Sequence, residues 1–179
     1  MPAVEAIMEN DGSQGSTPTE LEPYVAHFSA LTPTTVSAPD TRLSEYERER
    51  LPVVGRAEER AEGDAMKLTE GHDVNVMYIR VPPGKGFAHH KHSNWEMLLI
   101  LSGQWEITTP NGGKVILDPW DVMMVPGGIY HDAKNISDED AYLAGINPGN
   151  VQAKFFFHPD IMKRVAEVDP EAAKAIKSV

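Results

Sequence analysis

Three histidines and one glutamate concentrate the chemistry of this 179-residue chain in two short stretches. GKGFAHHKHSNWEMLLILSG, residues 84–103, places His90, His92 and Glu96 in the spacing G-x5-H-x-H-x3-E-x6-G, closed by Gly103. VPGGIYHDAKN, residues 125–135, adds His131 in the spacing P-x-G-x2-H-x3-N, set by Pro126, Gly128, His131 and Asn135. On an extended strand, side chains two residues apart share a face, so the imidazoles of His90 and His92 converge. Two imidazoles with a carboxylate arriving soon after form a pocket for a divalent cation, and His131 is the fourth candidate ligand. A lone strand histidine is more often structural than a ligand. Three, with a glutamate at matching offsets, read as metal ligands, against the alternative of a barrel that keeps the residues without the ion. Glu96 either binds directly, the reading adopted here, or hydrogen-bonds a bound water. Iron, manganese, nickel, copper and zinc all accept such donors, and ligand type alone does not choose among them.

The elements that must position these groups are short strands. DVNVMYIRV (residues 73–81) is β-branched and apolar, as a strand covered on two faces should be, and Pro82-Pro83-Gly84 ends it. Phe87–His92 and Trp95–Leu101 follow, and Gln104–Thr109 is expected to pair with the latter across Ser102-Gly103. Asn111-Gly112-Gly113 signals a hairpin into KVIL. Asp121–Val125, Ile129–Lys134, Ala141–Ile146 and Val151–Phe157 complete a series whose regular spacing predicts a sandwich or barrel. If the ligands face inward, strand parity turns Ala88, Leu98, Ile100, Ile129 and Ala133 toward the same interior as a candidate substrate pocket, an apolar surround for one polar centre. His89, Lys91 and Tyr130 then point outward. His72 and His158 fall at strand ends, and His27 cannot be placed.

Outside the strands the chain divides by composition. Residues 1–22 are polar and acidic and read as a flexible tail. Residues 23–73 form an N-terminal arm with short helices packing on the barrel, marked by Pro23, Pro33 and Pro39. Within it SEYERERL (44–51) favours a surface helix, with Ser44 as N-cap, Glu47 at the capping-box position and Pro52 as the stop. RAEERAEG (56–63) reads as a solvated charged turn or helix. Residues 74–158 form the barrel, and 159–179 two C-terminal helices, with Pro170 at the first position of the second.

A net charge of −11 and a pI near 5.0 argue against nucleic acid, which needs Lys and Arg on its phosphates, and against an anionic membrane surface. Without cysteine there is no disulfide and no thiolate ligand or nucleophile. The N-terminal MPAVEAIMEN lacks the basic and apolar regions of an export signal, and the longest apolar run is MLLIL (97–101), so a cytoplasmic protein is the expectation.

The two motifs resemble the paired motifs of the cupin superfamily, whose first motif supplies two histidines and a glutamate and whose second supplies one histidine. The first matches at every fixed position from Gly84 to Gly103. The second matches from Pro126 to Asn135 but has Trp120, within Asp118-Pro119-Trp120-Asp121, where the family usually has glycine, so a turn built differently is expected there. The resemblance implies an all-β cupin (jelly-roll-like) β-barrel with an N-terminal extended arm and a short C-terminal helical cap. It also implies one divalent metal ion per chain, Fe(II) favoured and Mn, Ni, Cu or Zn as alternatives, held by His90, His92, Glu96 and His131. No other cofactor is indicated.

Many cupins with this ligand set are dioxygenases. That class implies cleavage of a small oxygenated compound (a hydroxyketone, or an aromatic or phenolic molecule) with O2 as co-substrate, and Glu96 as a metal ligand or, when displaced, a base for the substrate hydroxyl. A non-oxidative isomerase, cyclase or lyase, with Tyr78, Tyr130 or Glu96 as acid or base, is the first alternative. A non-catalytic ligand-binding cupin is the second. The barrel's apolar outer faces and the proline-rich arm lead to the expectation of a symmetric homodimer.

Overall fold

Alternation of apolar and polar residues decides which segments become strands and which face each turns inward. In the computed structural model, which describes residues 22–35, 38–55, 68, 73–148 and 154–175, every named strand pair is antiparallel. Five strands form the first half of the series: β1 (Thr34–Thr35), β2 (Glu49–Val54), β3 (Val74–Val81), β4 (Gly86–His92) and β5 (Glu96–Ile100). The rest are β6 (Trp105–Thr108), β7 (Lys114–Leu117), β8 (Val122–Val125), β9 (His131–Asn135), β10 (Ala141–Pro148) and β11 (Phe155–Phe157). They make two sheets, one ordered β1-β2-β3-β10-β5-β8 and the other β11-β4-β9-β6-β7. The result is a jelly-roll-like sandwich of two antiparallel sheets. No described helix is long and apolar enough to cross a membrane.

The core lies between the sheets. Ile79, Val81, Leu98, Ile100 and Leu143 come from the six-stranded sheet and meet Trp105, Ile107, Leu117 and Ala133 from the five-stranded one. Burying a side chain of this size contributes about 1.5–3 kcal/mol, so this layer dominates the stability of the sandwich. The arm lies on the outer face of the six-stranded sheet. Phe28 sits with its ring centroid 5.9 Å from both Tyr78 and Tyr142, and Leu31 is buried against Leu51 and Val53. At the other end, α1 (Pro159–Val168) begins at the N-cap His158, whose Nδ1 accepts from the Asp160 amide. It buries Ile161 and Val165 against Leu43, Ala88 and Phe157, and α2 (Pro170–Ala175) follows.

Three sequence expectations change. β5 and β6 do not pair: Ser102-Gly103 carries the chain from one sheet to the other, and β6 pairs with β7 and β9. Gly103 has φ 72°, and a Cβ there would come within 2.5 Å of the Ala141 Cβ, so the crossing needs glycine. SEYERERL is not a helix. Ser44–Tyr46 is a single 3-10 turn without a side-chain cap, and Glu49–Val54 is strand β2. Burial of Leu51 and Val53 outweighs local helix propensity there. Pro52 is tolerated inside the strand because the register shifts between Pro52 and Val54, and β1 pairs only with Glu49 and Arg50.

Trp120 is the third. The turn is not rebuilt around it: Trp120 itself adopts φ 76°, the left-handed conformation that glycine usually supplies. Its side chain is 76% exposed, so no packing forces the indole there. The acidic tail through residue 21, RAEERAEG and His72 lie outside the described residues.

Candidate metal centre

The two sheets supply the ligands unequally. His90 and His92 stand on β4 and His131 on β9, with His90 directly opposite His131 in the register. Glu96 opens β5 in the facing sheet. The four residues are buried, and one ligand atom from each lies within 4.8 Å of all the others. The Glu96 Oε2 is 3.1 Å from His131 Nε2 and 3.2 Å from His92 Nε2. This is a group that could hold one metal ion.

Backbone contacts between the motifs hold the ligands in place. The Gly128 amide donates to the His92 carbonyl at 2.8 Å. A Cβ on Gly127 would meet the Ser93 carbonyl oxygen at 2.6 Å, so the loop before His131 rests on the turn after His92. At the far ends of the motifs, the Gly84 amide donates to the Asn135 carbonyl and the Asn135 amide to the Lys85 carbonyl. The fully buried Asn135 side chain donates to the carbonyls of Val81 and Glu139 and accepts from the Ser137 amide. The recurring glycines and the asparagine therefore have a mechanical role. They fix one ligand loop against the other.

The donor atoms fit a cation. His90 Nδ1 lies 2.8 Å from the Ala88 carbonyl and His131 Nδ1 lies 3.2 Å from the Ile129 carbonyl. A carbonyl only accepts, so each Nδ1 carries the proton and donates, and Nε2 is the nitrogen turned to the site. His92 Nε2 is buried and has no hydrogen-bond partner, its approach to Glu96 being misaligned for one. A buried polar atom left in this way costs stability unless something else satisfies it, and a bound cation would.

The electrostatics agree. Burial raises the Glu96 pKa, but the hydrogen bond from His131 and the nearby His92 and His90 outweigh it and hold the carboxyl well below the ordinary range. Burial, with the neighbouring His131, pushes His90 well below its ordinary value, which leaves it a neutral imidazole. Burial lowers the His131 pKa too, but its hydrogen bond to Glu96 wins and raises it.

Beside the ligands is a cavity of about 20 Å³ lined by Ile79, Phe87, Leu98, Ala133 and Leu143 together with His90, Glu96 and His131. That volume suits a water-sized molecule. Of the residues that parity assigned to a substrate pocket, Leu98 and Ala133 border this cavity. Ala88 packs instead with α1, Ile100 lies in the main core, and Ile129 is 48% exposed on the approach to β9. Parity fails on β4 because its register against β9 shifts between Phe87 and His90, which turns Phe87 to the side where Ala88 was expected. Tyr130 points outward, under the Lys91 ammonium, and His89 Nε2 lies 3.0 Å from the Thr108 hydroxyl, on the side away from the site.

Phe155 is the neighbour that sequence reasoning missed. Its ring stacks on His90 at 4.5 Å, with 13° between the planes, and meets His92 edge-on at 4.8 Å. At 41% exposure it forms the solvent-side wall of the site. The expected strand Val151–Phe157, of which residues 151–153 lie outside the described ones, includes Phe155, but only its register opposite His92 shows which phenyl faces the metal ligands.

Comparison with known proteins agrees with this geometry. Residues 77–158 match the family model described as Cupin domain. Similar solved structures include a cupin-2 domain from Rhodospirillum rubrum, 14% identical over 86% of this chain and 92% of that one, with a TM-score of 0.57. A cupin 2 domain-containing protein from Halorhodospira halophila is 18% identical over 71% of this chain and 81% of its own, at 0.51. An RmlC-like cupin from Shewanella frigidimarina is 13% identical over 70% and 90%, at 0.50. At such identities the likeness shows the fold alone. No curated protein matches. Motifs, fold and family model agree on a cupin domain over residues 77–158.

Proposed function

We propose that this cupin is a mononuclear metal-dependent enzyme, a dioxygenase that cleaves a small hydroxyketone or a phenolic compound. The observation that carries the reading is the convergence of three imidazoles and one ionised carboxylate in a buried, apolar-walled site. A redox-active divalent ion held by His90, His92, Glu96 and His131, Fe(II) by preference, supplies the one-electron chemistry that dioxygen needs to react with an electron-rich enol or phenol.

The chain's own residues divide the remaining work. The cavity beside the ligands, at about 20 Å³, is sized for a water-like molecule. The substrate therefore approaches from the exposed Phe155 side, where the phenyl offers an apolar wall for a planar compound. Ile79, Leu98 and Leu143 give the cavity an apolar lining. Glu96 is ionised at neutral pH, as a ligand must be. Its low proton affinity makes that its main role, with transient acceptance of a substrate hydroxyl proton when displaced.

Metal content of the untagged protein, followed by an oxygen-electrode screen of hydroxyketones and phenols, tests the reading. Substrate-dependent oxygen uptake with an iron-loaded chain supports it. Turnover that persists unchanged under strict anaerobiosis transfers the site to non-oxidative Lewis-acid chemistry. Tight metabolite binding without product makes the protein a binding module.

We also propose a homodimer. The exposed Val122 and Met124 of the edge strand β8 and the exposed Trp120 before it support association with a second copy. Sedimentation showing a monomer at micromolar concentration rejects this.

A further inference from the structure

The segment before the cupin match contains a fully buried charge. Asp40 is wholly inaccessible and Arg48 nearly so, and their contact is bidentate, with Nη1 donating to Oδ2 at 2.9 Å and Nη2 to Oδ1 at 3.1 Å. Arg48 also donates to the Tyr46 carbonyl at 2.8 Å and lies 4.5 Å above the Phe87 ring. A buried ion pair rarely stabilises a fold more than apolar side chains of similar size would, so its location asks for another explanation.

The pair ends on the strand that carries two metal ligands. Ala88 has no partner in the register of either strand flanking β4, and its amide donates instead to Asp40 Oδ2 at 3.1 Å. The carbonyl of the same residue accepts from His90 Nδ1 at 2.8 Å. A continuous chain of contacts therefore runs from the Arg48 guanidinium through the Asp40 carboxylate and the Ala88 residue to the His90 ring. It passes through the point where β4 leaves its register with β9.

We infer that Asp40 and Arg48 are positioning residues for the metal centre. They hold Ala88 so that its carbonyl keeps His90 in the Nδ1–H tautomer, with Nε2 unprotonated and aimed at the ion. The inference rests on the metal reading above. It assigns to the N-terminal segment, which lies outside the family match at residues 77–158, a part in the site itself. Partners of this kind set the orientation and basicity of a ligand.

Titration of the full chain with Co(II), read by visible absorption and by competition with a chelator, tests it. Two variants accompany the parent: Asp40→Asn, which keeps size but removes the charge, and the double variant Asp40→Leu/Arg48→Met, which replaces the pair by apolar groups. The expected result is folded variants whose Co(II) dissociation constant rises roughly 10–100-fold and whose absorption spectrum changes. A merely structural pair would lower the melting temperature and leave both readouts as in the parent, and that result overturns the inference.

A measurement on the parent protects the test against variants that fail to fold. Because coupling is reciprocal, Zn(II) loading is expected to slow hydrogen exchange at the Ala88 amide, and an unchanged rate counts against the inference. A parent that takes up no Co(II) overturns the metal reading and this inference with it. A parent that binds while folded Asp40→Asn binds equally well overturns this inference alone.

Discussion

His131 Nε2 lies 3.1 Å from the Glu96 carboxylate, and a proton held there must leave before a cation can bind. The raised His131 pKa sets the sign of the pH dependence. Below that value His131 must lose a proton before it binds an ion, so affinity rises with pH by up to about tenfold per unit and levels off once His131 is neutral. His90, held neutral by burial, adds no such step near neutrality. Isothermal titration with Zn(II) at several pH values should show proton release that fades as pH rises. His92→Ala removes the unsatisfied nitrogen and should abolish stoichiometric uptake while costing little stability in the metal-free state. Chelator competition and thermal melting of the same samples separate the two effects. The four ligand types and their offsets were legible in the sequence because strand periodicity and metal chemistry both act over a few residues. Phe155 and Asp40 were not, since neither a register across strands nor a contact between residues 40 and 88 leaves a local pattern.

At the scale of elements, the turn at Trp120 and the anchor at Asn135 make opposite predictions. A left-handed backbone costs a non-glycine residue about 1–2 kcal/mol. The exposed indole contributes little in return, while glycine adds freedom to the unfolded chain. Trp120→Gly should therefore stabilise the protein by up to about 1 kcal/mol in urea unfolding. Asn135→Ala strands two buried carbonyls and one amide and should cost about 2–4 kcal/mol by the same measurement. Most strands were visible from their alternation and from the glycines between them. Their assignment to sheets was not. Ser102-Gly103 resembles a hairpin turn locally and becomes a crossing only because Trp105 and Ile107 complete the opposite layer of the core. SEYERERL likewise carries helical propensity, and its strand is imposed by Leu31 and the sheet beneath.

For the whole molecule, metal and fold are linked. An ion that binds the native site and not the open chain raises the melting temperature in proportion to the logarithm of its concentration. Calorimetry over a Zn(II) series should show that rise in the parent and none in His131→Ala. The jelly-roll class was legible from strand count and spacing. The position of the arm was not, because Phe28 meets Tyr78 and Tyr142 across long separations in the chain. Glu96 comes from one sheet and the three histidines from the other, so an ion bound to all four is a rivet through both layers. The layers cannot part at that end while it is in place. Opening of the sandwich there then has to wait for loss of the ion, and a chelator would act as the key that unlocks it.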